Sequence, residues 1–143
     1  MKRLSQIILL LTAVVLLQGC AKATEFLPFD GPSNVTSQEQ TVVLKPLKKN
    51  ADFRLTYVHS FIHDVTSPDY PLIEDAHVEE SPEGCWTGDW FELRKEGNVL
   101  VIHFYENETP YERGITISGE EITGRQWNNP MVDIEIRQAS MEQ

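Results

Sequence analysis

From about residue 40 onward, apolar and polar positions alternate in short runs separated by turn residues. Thr41 to Leu47 is a β-branched run closed by Pro46 and the Lys48-Lys49-Asn50 turn. Phe53 to His63 sets Phe53, Leu55, Tyr57, His59 and Phe61 against Arg54, Thr56, Val58, Ser60 and Ile62. That alternation predicts a long strand with one aromatic-rich face. Trp90 to Arg94 puts Phe91 and Leu93 on one face, and Glu96-Gly97-Asn98 is a hairpin turn signal. The return strand, Asn98 to Tyr105, sets Leu100, Ile102 and Phe104 against Val99, Val101, His103 and Tyr105. Glu112 to Ser118 turns Ile115 and Ile117 inward, and Met131 to Gln138 does the same with Val132, Ile134 and Ile136. Period-two runs spaced by turns, without an amphipathic helix, predict an all-β fold: an antiparallel two-sheet immunoglobulin-like sandwich.

Two stretches break the alternation. Residues 20–39 hold two prolines and several Ser, Thr and Asn without periodicity, and read as a flexible tether ahead of a single domain over 40–143. Residues 64–89 read as an acidic insert, with Asp64, Asp69, Glu74, Asp75, Glu79, Glu80, Glu83 and Asp89 among three prolines. So long a connection is uncommon without structure of its own, which predicts a short strand or helical turn near 72–78.

The N-terminus is of another kind. Lys2 and Arg3 precede the apolar run Ile7–Leu17, which at 11 residues is too short for a hydrocarbon core needing ~20 helical residues. A basic start and a short apolar run make a secretory signal peptide. It meets Leu17-Gln18-Gly19-Cys20, a lipobox, which predicts cleavage after residue 19 and a lipid-bearing Cys20. Ala21 in place of Asp favours the outer membrane over the inner. Two or three acyl chains, at ~0.8 kcal/mol per buried CH₂, hold such a chain in the membrane indefinitely.

Removing residues 1–19 leaves 143 − 19 = 124 residues with 10 basic and 22 acidic side chains, a net charge near −12. That surface repels nucleic acid, so no nucleic-acid partner is expected. With Cys20 committed to lipid, Cys85 has no intrachain partner and is expected as a small buried hydrophobe rather than a reactive thiol.

The second half of the chain resembles a BACON-type domain. The resemblance rests on Gly88-Asp89-Trp90-Phe91-Glu92-Leu93, the Gly97 turn, Asn107-Glu108-Thr109 and Glu112-Arg113 with Ile115 and Ile117. It closes on the terminal Ile134-Glu135-Ile136-Arg137-Gln138, and covers about residues 85–138. Such domains are immunoglobulin-like sandwiches of lipoproteins and glycan-degrading enzymes of gut bacteria. The resemblance therefore implies a β-sandwich at the cell envelope, near glycans.

Three indoles are the candidate glycan contacts: Trp86, Trp90 and Trp127. On one strand, Trp86 and Trp90 would share a face roughly 13 Å apart, wide enough for a disaccharide. Against that, Trp90 suits the end of a sandwich core and Trp127 a loop cap. His59, His63 and Asp64 are spaced too widely on a strand for one zinc ion, whose bonds are ~2 Å. The acids of the insert include no Asp-x-Asp-x-Asp-Gly loop, so no metal or cofactor is expected. Neither nucleophile elbow, phosphate loop, dinucleotide fingerprint nor His-Glu-x-x-His is present. The expectation is thus a non-enzymatic envelope lipoprotein, a binding or assembly module held to the membrane by lipid. Its partner is a glycan, or another envelope protein docked through a strand edge.

Overall fold

The computed structural model describes residues 23–141, so the expected signal peptide over 1–19 and the expected lipid site Cys20 lie outside the described residues. The strands in chain order are β1 (Phe29–Asp30), β2 (Asn34–Val35), β3 (Gln40–Pro46), β4 (Phe53–His63) and β5 (Leu72–Val78). They continue with β6 (Cys85–Thr87), β7 (Phe91–Glu96), β8 (Val99–Phe104), β9 (Glu112–Glu121) and β10 (Met131–Gln138). Two five-stranded sheets form an all-β sandwich, one in the order β1-β3-β8-β7-β6 and the other β2-β10-β9-β4-β5. Neighbours pair antiparallel except β2 with β10, which run parallel.

The core is the layer where alternate residues of the two sheets meet. Leu100, Ile102, Phe104, Ile115, Ile117, Val132 and Ile136 are wholly buried there, together with Phe91 and Leu93. Ile134 is an exception to the expected core set, being only partly buried against its rim. It lines an open depression with Leu27, Phe29 and Leu44, on the side where β10 and β3 are followed only by the two-residue strands β2 and β1.

The tether expected over residues 20–39 is corrected by the structure. Phe26 bridges Met131, β1 pairs with β3, β2 pairs with β10, and Leu27 and Val35 are buried. Lone apolar residues among prolines carry no period, so the sequence did not show that each fills a gap at a sheet edge. The insert is likewise part of the framework. Its residues 72–78 are strand β5 on β4, its residues 85–87 are strand β6 on β7, and these are edge strands of opposite sheets.

Strand β4 departs from simple alternation. Its register on β9 shifts between Leu55, opposite Gly119, and Tyr57, opposite Ser118, leaving Thr56 as an extra residue. A β-bulge of this kind reverses the faces of everything beyond it. Phe53 is buried and Leu55 packs against the core, but Tyr57 is exposed while Val58 and Ser60 are buried. The bulge draws backbone against backbone: a Cβ on Gly119 would lie 2.2 Å from the Arg54 carbonyl oxygen, so only glycine fits there.

Polar groups close one end of the core. Arg113, 8% exposed, donates from Nε to Gln138 Oε1 at 3.1 Å and from its terminal nitrogen to the carbonyls of Tyr105 (3.1 Å) and Glu106 (2.9 Å). Its guanidinium lies 5.0 Å from the centroid of the Trp90 ring, a cation–π contact in a desolvated site. Burial lowers the Arg113 pKa, yet arginine stays charged at neutral pH. Asn107, fully buried, donates to the carbonyls of Tyr111 and Ala139 at 2.8 Å and accepts from Thr109. The Asn, Arg, Trp and Gln on which the resemblance rested are thus one capping network, and Arg113 keeps its head dry rather than in water.

Candidate functional site

The bulge at Thr56 gives the outer face of the second sheet its chemistry. Beyond it, β4 turns Tyr57, His59, Phe61 and His63 outward, four residues in strict alternation. Neighbouring strands add Asp75 and His77 from β5, Glu112 and Thr116 from β9, and Glu135 and Arg137 from β10. Tyr70, just before β5, folds back over His63.

Phe61 anchors the face. A Cβ on Gly114 would lie 2.2 Å from Phe61 Cζ, so the ring rests directly on the glycine backbone. The Arg137 guanidinium lies over the ring at 5.5 Å from its centroid. Phe61 is therefore 8% exposed although it lies outside the core.

Rings pair on both sides of it. Tyr57 stacks on His77 with centroids 4.7 Å apart, and His63 stacks on Tyr70 at 4.6 Å. Tyr57 and Tyr70 remain 41% and 38% exposed, enough to offer surface to a ligand. Arg137 donates to Glu112 at 2.9 Å, to Glu135 at 2.6 Å and to the Tyr70 hydroxyl at 3.0 Å, while that hydroxyl donates to Glu112. Hydrogen bonding to Glu135 raises the Arg137 pKa further. Burial, reinforced by the Glu112 hydrogen bond, raises that of Tyr70, which keeps its hydroxyl a donor. His59 pairs with Asp75 through Nε2. Between these groups runs an open groove of about 250 Å³, lined by His59, Phe61, His63, Leu72, Asp75, Thr116, Glu135 and Arg137. Its polar groups include donors and acceptors fixed by one another, with ring edges between them, a lining suited to a hydroxyl-rich ligand with an apolar face.

The indoles expected as glycan contacts are not brought together. Trp86 sits opposite Leu93 on β6, and both Trp86 and Trp90 are 6% exposed in the core, with Trp90 stacked over Phe104. Strand β6 stops at Thr87, so the two never share one strand face. Trp127, by contrast, is 79% exposed on the 122–130 connection, at the end of the sheet away from the groove.

The insert acids are also dispersed. Asp64 accepts from the backbone and hydroxyl of Thr66, which lowers its pKa. Asp75 belongs to the groove, and among the described residues no three His, Cys, Asp or Glu are grouped to hold a metal ion. Cys85 is half-buried, its sulfur 3.6 Å from the Thr87 hydroxyl. The adjacent acids Glu120 and Glu121 face opposite ways, Glu120 out to Arg54 and Glu121 inward, where its Oε1 meets Lys48. Sequence alone missed Tyr70, Asp75, His77, Glu112, Glu135 and Arg137 as companions of the β4 rings. The available signal was the aromatic run of β4; strand pairing supplied the rest.

No family model matches the chain, and no curated protein does. Among solved structures it is similar to a protein from Bacteroides thetaiotaomicron determined by NMR, with a TM-score of 0.56 and 17% identity. That alignment covers 86% of this chain and 94% of the other. At such identity the likeness shows the shared fold alone.

Proposed function

We propose that this chain is a non-catalytic lipoprotein of the cell envelope, anchored through Cys20 in the outer membrane, whose outer sheet face binds glycans. The groove carries this reading. Exposed tyrosines pack on its histidines, Tyr57 beside His59 and Tyr70 on His63, while Asp75 pairs with His59, and Glu112 and Glu135 pair with Arg137. Sugar C–H faces pack on aromatic rings, while carboxylate and guanidinium groups hydrogen-bond vicinal hydroxyls. The resemblance to BACON-type domains supports the same setting.

A glycan array followed by titration calorimetry tests it. The wild-type chain is expected to retain a restricted set of oligosaccharides. Tyr57→Ala and Arg137→Met are each expected to weaken binding at least about tenfold, the equivalent of about 1.4 kcal/mol. Gly114→Ala removes no contact group but displaces Phe61, and is expected to weaken binding as well. A silent array, or binding indifferent to all three changes, would remove the groove from consideration.

The anchoring part has its own test. Cys20→Ser is expected to leave an uncleaved precursor that incorporates no labelled palmitate. Normal labelling of that variant would overturn the lipobox.

A second reading rests on β5, an edge strand exposing Leu72 (49%) and Ile73 (50%). Its sequence contains neither lysine nor proline, the usual guards of an open edge. Such an edge suits strand addition by another envelope protein. Co-purification of one partner, lost on Ile73→Lys and accompanied by a silent array, would favour this reading over the first.

A further inference from the structure

The chain enters the sandwich at one end, and that end differs in character from the rest of the surface. Met131 donates its N–H to Glu25 O and accepts from Leu27 N, both at 2.8 Å, which fixes the entering segment beside the start of β10. The 122–130 connection belongs to the same end, because Glu121 N bonds Pro130 O and Ile122 N bonds Asp52 O. So does the turn after β3, through Lys48 to Glu121 at 2.5 Å and Leu47 N to Pro28 O at 2.9 Å.

Five large apolar side chains are exposed there: Phe26 (57%), Leu47 (64%), Ile122 (53%), Trp127 (79%) and Met131 (43%). A cavity of about 330 Å³, lined by Ala23, Thr24, Arg125, Asn128 and Asn129 among others, lies in the same region. The charge also changes. Most of the chain is strongly acidic, but here Glu25, Asp52, Glu96, Glu120 and Glu121 are set against Lys48, Lys49, Arg54, Arg94, Lys95 and Arg125. Four of these acids are paired, Asp52 with Lys95, Glu96 with Arg94, Glu120 with Arg54 and Glu121 with Lys48. Arg125 makes no ion pair among the described residues.

We infer that this end is a membrane-docking face, seated on the bilayer that holds Cys20, with Trp127 at headgroup depth. The inference rests on the lipidation of Cys20. Only residues 21 and 22 separate Cys20 from Ala23, so the lipidated Cα lies within about 11 Å of the Ala23 Cα even if the chain between them is fully extended. A bilayer surface is then within reach of the 122–130 connection whatever course those two residues take. An indole presented to solvent on such a connection has the amphipathic character that settles at membrane–water interfaces. Arg125 and the asparagines beside it offer donors to lipid phosphates. The near-neutral charge of this end removes the repulsion that the rest of the surface would meet at an anionic leaflet. Docking here turns the aromatic groove sideways to the membrane, with the capping network of Arg113 at the far end.

The test uses the full lipidated protein reconstituted into phosphatidylcholine vesicles, with its N-terminal residue identified by mass spectrometry. Trp86 and Trp90 are buried in the core, so the emission lost in Trp127→Phe reports Trp127. Vesicles made with dibrominated acyl chains are expected to quench that emission, and iodide is expected to lose access to it on reconstitution. Arg125→Glu together with Ile122→Asp is expected to restore iodide access while leaving the protein vesicle-bound through its lipid. A lipidated protein whose Trp127 stays open to iodide and untouched by bromine overturns the docking face alone. An unmodified Cys20 overturns the lipid anchor and the docking face with it.

Discussion

Arg113→Ala is expected to cost about 3–5 kcal/mol of folding stability, as breaking a buried charged network does. Gln138 Oε1 and the Glu106 carbonyl lose their donor at once, and the Tyr105 carbonyl loses one of two, keeping Gln138 Nε2 at 2.8 Å. Unpaired buried polar groups cost roughly 1–3 kcal/mol each, though neighbouring losses do not add fully. Trp90 also loses the cation over its ring. Arg113→Lys should recover only part of the loss, because an ammonium cannot fork to three acceptors in one plane. Urea unfolding of Arg113→Ala, Gln138→Ala and the double variant closes a cycle, with a coupling of about 0.5–3 kcal/mol expected. A single-variant loss below about 1 kcal/mol would mean that water reaches the guanidinium, as at an exposed ion pair.

Phe104→Ala is expected to cost about 3–5 kcal/mol through lost burial and the cavity left behind. The ring is fully buried, sits opposite Phe91 and Gln40 on the two flanking strands, and stacks with Trp90. Ile136→Ala, also fully buried, should cost about 2–5 kcal/mol, and Ile134→Ala less, since Ile134 is only partly covered. Glu135→Ala, between them on the solvent side, should fall within about 0.5 kcal/mol. Equal losses at Ile136 and Glu135 would mean that β10 is read in the wrong register.

Strands were legible wherever one face met the core and the other met water. The Met131–Gln138 and Phe53–His63 strands begin and end where their alternation does, and 72–78 is strand despite its acids. What stayed hidden depended on partners distant in sequence. Thr56 is an ordinary strand residue until Gly119 stands across from it, so the reversal of Tyr57 and Phe61 could not be read locally. Residues 26–35 carry no period because each short pairing there is made with a strand a dozen or more residues away. The indoles misled for a related reason. Their spacing was right for a shared face, but β6 ends before the second of them, and the core takes both. The groove was half-visible as an aromatic strand and invisible as a site, since its carboxylates and Arg137 come from three other strands.

The pairing of β2 with β10 also has a consequence in time. Asn34 meets Arg137 and Phe26 meets Met131, so segments made early in synthesis lie beside the last strand of the sandwich. The central strand β9 keeps one open side until β10 arrives. No nascent fragment that stops short of β10 can therefore complete the second sheet. Folding dominated by such distant contacts runs in milliseconds to seconds rather than microseconds. The second sheet thus stays incomplete until β10 has been made. On the export route proposed above, that order would keep the chain short of its folded state while it is still being made.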